Sequence, residues 1–75
     1  MRKNSDLSKG SKVRLSLMSS HIASDLSKFG RVSEANPNCC PGTVVLISER
    51  GISVDWENGF CNNYSPDDSD LISLD

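Results

Sequence analysis

The sequence predicts an all-β chain: five short antiparallel strands bent into one small barrel. Three observations carry this. Residues 12–17 and 52–56 alternate polar and apolar side chains with period two, as in strands buried on one face. Residues 43–48 form an unbroken β-branched and aliphatic run, as in a well-buried strand. Asn58-Gly59 separates two strand-like runs, and both residues tolerate the positive φ that a tight hairpin needs. Short strands spaced by turns point to a barrel, and 75 residues admit a single domain.

Residues 1–9 are polar, so little of them is expected to be buried, and they read as a flexible lead to a domain spanning 10–75. In residues 12–17, Val13, Leu15 and Leu17 share one face. Residues 18–42 are the least regular part. Ser19 or Ser20 suits a helix N-cap, and Ile22, Leu26 and Phe29 fall at i, i+4 and i+7. The segment is nevertheless serine-rich and short, and isolated short helices are weak. Residues 36–42 hold turn formers throughout. The whole of 18–42 therefore reads as one long loop with a single helical turn, of the kind that is functional or mobile in a compact domain. Glu49-Arg50-Gly51 is a tight turn, after which Ile52, Val54 and Trp56 point inward.

Two registers fit the next hairpin. A two-residue loop pairs Trp56 with Cys61. A three-residue loop, Glu57-Asn58-Gly59 with Gly59 left-handed, pairs Trp56 with Phe60. A slip of one residue turns every side chain over. The three-residue loop is preferred because it gathers Ile52, Val54, Trp56, Phe60 and Tyr64 on one face. It also leaves Asn62 partly buried and in need of hydrogen-bond partners. Residues 65–69 form a polar turn and 70–74 the last strand.

Lys+Arg number 8 against Asp+Glu 10, so the chain as a whole lacks the basic footprint of non-specific DNA binding. Only the start is basic (Arg2, Lys3, Lys9, Lys12, Arg14), and spaced cations of this kind read first as a solvated face. The end is acidic, with Asp67, Asp68, Asp70 and Asp75. No apolar run approaches the ~20 residues that span a bilayer, and no signal-like apolar segment follows the basic start. A cytoplasmic protein without membrane contact is expected. So short a chain leaves no room for a large catalytic cleft, so neither an enzyme nor a cofactor is expected.

Three cysteines make a poor disulfide framework, and the neighbours Cys39 and Cys40 cannot be linked without strain. His21 with Cys39, Cys40 and Cys61 contains zinc-compatible groups without the C-x₂₋₄-C spacing of structural sites, so no metal is expected. A nucleophilic Cys39 or Cys40 near His21 lacks an oxyanion hole and an orienting group. Asp67, Asp68 and Asp70 lack the glycine and terminal glutamate of a calcium loop.

The residues Lys9-Gly10-Ser11-Lys12-Val13-Arg14-Leu15, Gly42-Thr43-Val44, Val54-Asp55-Trp56-Glu57-Asn58-Gly59 and Asn63-Tyr64 followed by Asp70-Leu71 together resemble SH3-like barrels over nearly the whole chain. The order is similar to the MIB/HERC2 domain, a peptide-binding module of large eukaryotic ubiquitin ligases. It is also similar to small stand-alone SH3-like proteins of bacteriophages and prophages, whose single-domain length fits better. Segment 19–30 departs from the shorter glycine-rich linker of those barrels. The resemblance implies closure of the barrel by pairing of the last strand with the first. It carries over no catalytic residue, and it implies a phage-encoded binding module acting on a host protein in the bacterial cytoplasm.

The candidate recognition surface is loop 18–42 with hairpin 52–64, using His21, Ile22, Phe29, Phe60 and Tyr64. SH3-like and Tudor-like barrels use aromatic grooves for peptides, although so few aromatics are also needed in the core, Trp56 above all. An alternative is a nucleic-acid-binding SH3-like domain of the KOW-like type, using Lys9, Lys12 and Arg14. A further alternative is a homo-oligomeric structural protein pairing through exposed edge strands.

Overall fold

A computed structural model of the chain describes residues 3–74. Arg2 and Asp75, which entered the charge reading, lie outside the described residues. Five strands form one antiparallel open sheet in the order β4-β3-β2-β1-β5. They are β1 (Lys12–Leu15), β2 (Gly42–Ser48), β3 (Gly51–Trp56), β4 (Cys61–Tyr64) and β5 (Leu71–Ser73), with helix α1 (Ser20–Phe29) between β1 and β2.

β1 shows the expected alternation, with Val13 and Leu15 buried between exposed Lys12 and Arg14. It ends earlier than its pattern suggests, and Leu17 is exposed instead of sharing the core face. The reason lies in Ser16. Its N–H donates to the Asp70 carbonyl at 2.7 Å, and its Oγ accepts from Met18 N at 3.1 Å, so the chain turns away there.

Segment 18–42 is not a loop with one helical turn. It contains the ten-residue helix α1. Its serines are poor helix formers, but both ends are capped. Ser19 Oγ accepts from His21 N at 3.2 Å, and Gly30 at φ 71° lets its N–H reach the Leu26 carbonyl at 3.0 Å. The N-cap is itself docked, because Ser19 Oγ donates to Asp70 Oδ1 at 2.6 Å. Ile22 seals the inner face.

β2 is less buried than its apolar run predicts. Only Gly42 and Val44 are fully covered, and Leu46 is exposed. The register shifts between Val44 and Leu46, a bulge that bends the strand where it leaves the core. Ser48 pairs with Gly51, so the next turn is Glu49-Arg50 and Gly51 belongs to β3. The β3–β4 hairpin takes the three-residue loop: Asp55 pairs with Cys61, Trp56 N donates to Phe60 O at 2.8 Å, and Gly59 sits at φ 93°.

The core joins Val13, Leu15, Val44, Ile52 and Val54 to the larger Trp56, Tyr64, Leu71 and Ile22. Gly42 is pressed onto it, since a Cβ there would stand 2.6 Å from both Trp56 Cε3 and Val54 Cγ1. The polar start is also partly interior. Asn4, in a 3₁₀ turn over Asn4–Asp6, is fully buried, while most of the described residues 3–9 around it are exposed. Its Nδ2 donates to the Ser65 carbonyl at 2.8 Å and to Asp70 Oδ2 at 3.4 Å, and its Oδ1 accepts from Leu71 N at 3.0 Å.

Candidate interaction groove

Phe29 closes the last turn of α1 and Phe60 follows the β3–β4 turn. Distant in sequence, they line one cleft of about 360 Å³ together with residues 31–35. Both rings remain open to solvent, 66% exposed at Phe29 and 43% at Phe60. Two of the chain's aromatics are thereby withheld from a small core, which goes against the drive to bury such area.

The wall between them is held by asparagines. Asn58 Nδ2 donates to the Glu34 carbonyl at 2.9 Å. Asn62 Nδ2 donates to the Ala35 carbonyl and to Asn36 Oδ1, both at 3.0 Å. Tyr64 OH donates to the same Asn36 Oδ1 at 2.9 Å. On the helix side, Ser33 N donates to Asp25 Oδ2 at 3.3 Å. The segment after α1 is thus pinned to the hairpin on one flank and to the helix on the other. That a half-buried Asn62 needs hydrogen-bond partners was legible in the register. Asn36 and Asn58 were not, because a loop asparagine reads equally well as a turn former.

The five candidate residues separate into two groups. Phe29 and Phe60 share the groove. Ile22 and Tyr64 belong to the core, 4% and 2% exposed, and are corrected from surface to interior. Tyr64 is held there by contact. Its hydroxyl accepts from Trp56 Nε1 at 3.2 Å, and its ring meets Trp56 and His21 edge-on, with centroids 6.2 and 5.2 Å apart. Burial pushes its hydroxyl up to about 12. The Trp56 hydrogen bond opposes the shift and the negative charges of Asp70 and Asp25 add to it. His21, half-buried, backs Tyr64 from the helix.

Lys9, Lys12 and Arg14 are exposed, and Lys12 Nζ donates to Thr43 Oγ1 at 2.9 Å. Arg14 borders a shallow depression of about 230 Å³ with Cys39, Cys40, Pro41 and Leu74. A further cleft of about 390 Å³ is walled by Leu7, Met18 and Leu71, a site that sequence reading missed because the polar start hides Leu7. Cys39, Cys40 and Cys61 are all free. Among the described residues no three His, Cys, Asp or Glu side chains gather as a metal-holding group, and no helix is long and apolar enough to cross a membrane.

Fold and groove together define a small antiparallel β protein of one open sheet and one helix, with a paired-phenylalanine cleft on its surface. Comparison with protein-family models, with curated proteins and with solved structures finds no match.

Proposed function

We propose that this chain is a non-enzymatic binding module of the SH3-like barrel type, which takes a protein partner in the Phe29–Phe60 groove. The observation that carries the reading is the exposure of both phenylalanines in one cleft whose wall is fixed by side-chain hydrogen bonds. Such a cleft is organised before a partner arrives, which lowers the ordering cost of binding. The barrel reading is supported by β5 pairing with β1, with Leu15 opposite Leu71. The resemblance to small phage and prophage proteins supports a host protein as the partner.

The test is affinity purification from host lysate with the wild type, the double variant Phe29→Ala/Phe60→Ala, and a control, Leu46→Ala, that alters an exposed leucine outside the groove lining. The expected result is one partner recovered by the wild type and the control and lost with the double variant. Equal recovery by a folded double variant removes the groove from the reading. The basic residues offer less for nucleic acid, since the depression beside Arg14 contains no aromatic platform.

A further inference from the structure

We infer that Cys39 and Cys40 form a vicinal dithiol site for a soft trivalent centre of the mono-organoarsenical class, bound through both sulfurs at once. This site is separate from the groove and does not depend on its function. Cys39 is exposed and Cys40 half-buried, and both border the same depression of about 230 Å³. The segment that carries them is tied on either side. Asn36 is bonded to Asn62 and Tyr64, and the Pro41 carbonyl accepts from Glu57 N at 3.0 Å. The two neighbouring cysteines therefore sit on a short stretch anchored at both ends and border one depression, with Cys40 also packing against the core.

Geometry selects the ligand. Neighbouring Cα atoms stand ~3.80 Å apart across a trans peptide, closer than the ~4.4 Å lower limit of ordinary disulfides. A direct S–S bond between the pair is strained for that reason. An atom placed between the sulfurs relaxes the restriction, because they need not approach to the ~2.05 Å of a disulfide. Zinc fits poorly, since its structural sites take four donors, and no third His, Cys, Asp or Glu joins the pair among the described residues. A soft centre that already carries one organic group and needs only two thiolates matches what is present.

With phenylarsine oxide the balance is simple. Each thiol gives up a proton, two arsenic–sulfur bonds form, the arsenic–oxygen bond breaks and the oxygen leaves as water. Arsenic stays trivalent, and no oxidant or reductant is consumed.

The experiment is native-condition labelling of the reduced full chain with phenylarsine oxide, read by intact mass. One adduct per chain is expected. It should persist in a large excess of a monothiol and be removed by 2,3-dimercaptopropanol. Cys61→Ser should keep the adduct, whereas Cys39→Ser and Cys40→Ser should each lose it. Cys39 is exposed, so its serine variant tests the site without disturbing the core, and circular dichroism checks that it remains folded. A monothiol-resistant adduct that survives Cys39→Ser, that disappears with Cys61→Ser, or that never forms on the wild type overturns the assignment.

Discussion

Asn4 and Tyr64 are polar side chains placed inside a core that has little area to spare, and each is there because its hydrogen bonds are complete. Asn4 bonds the Ser65 carbonyl, the Asp70 carboxylate and the Leu71 N–H. Asn4→Ala leaves these buried partners unpaired, so a loss of about 2–3 kcal/mol is expected in urea unfolding. A loss under ~0.5 kcal/mol, the range of ordinary surface substitutions, would show that water replaces the amide there. Tyr64 gives a pH signature. Its hydroxyl titrates at about 12 in the folded chain against 10.0 in the unfolded one, so the unfolded state gives up the proton first. The associated stability is whole below pH 10 and is lost as pH rises through 12, a total of roughly 2–3 kcal/mol. Tyr64→Phe removes that alkaline decline, while costing about 1 kcal/mol at neutral pH through its lost hydrogen bonds. Parallel alkaline curves for the two proteins would assign the decline to other groups. Neither role was fully legible in the sequence. Tyr64 sits on a period-two face that marks it as inward or cleft-lining, but Asn4 lies in a polar run, and only partners 61 to 67 residues away reveal that it is interior.

At the scale of elements, the strands were legible, and the helix only in its Ser19 cap and apolar stripe, not in its ten-residue length. Alternation in β3 and over most of β1, and the Asn-Gly turn, depend on local spacing and survive folding, although β1 stops before Leu17. α1 depends on Ser19 being held by Asp70 from across the sheet, and no window of sequence contains that contact. Phe29 was legible as a candidate, but its meeting with Phe60 required the helix and the hairpin to be placed together. The glycines show how differently two elements fail. Gly30 caps α1 at φ 71° with open space around it, so Gly30→Ala costs roughly 1–2 kcal/mol from backbone strain alone, and Gly30→Asn recovers part of it. Gly42 has an ordinary φ but lies against Trp56 and Val54, so Gly42→Ala costs about 1–3 kcal/mol by overpacking, and Gly42→Asn costs more. Thermal unfolding of the four variants separates the cases. The same rank order of Ala and Asn at both positions would contradict the distinction between strain and crowding.

For the whole molecule, the sheet divides by the length of chain that each pairing must close. β2, β3 and β4 are joined by turns of two and three residues, whereas β5 returns to β1 across nearly the entire sequence. Closing a long loop costs entropy before its contacts repay it. The β2–β3–β4 meander, with Val54 at its centre, is therefore expected to form in the folding transition state, and the β1–β5 pairing with its Asn4 lock to complete afterwards. Stopped-flow kinetics in urea read this directly. Val54→Ala should slow folding, with a φ-value of ~0.5–0.8, and Asn4→Ala should act mainly by accelerating unfolding, with a φ-value of ~0–0.3. The reverse pattern would place the closing strand in the nucleus. The groove then follows from the same order of events. Its hairpin wall belongs to the early meander, and the segment bearing Glu34, Ala35 and Asn36 docks onto it through Asn58 and Asn62. Removing those two amides by Asn58→Ala/Asn62→Ala should leave the folding rate in stopped-flow nearly unchanged and, if the proposed binding role holds, weaken recovery of the partner, because the bonds form on a hairpin already in place.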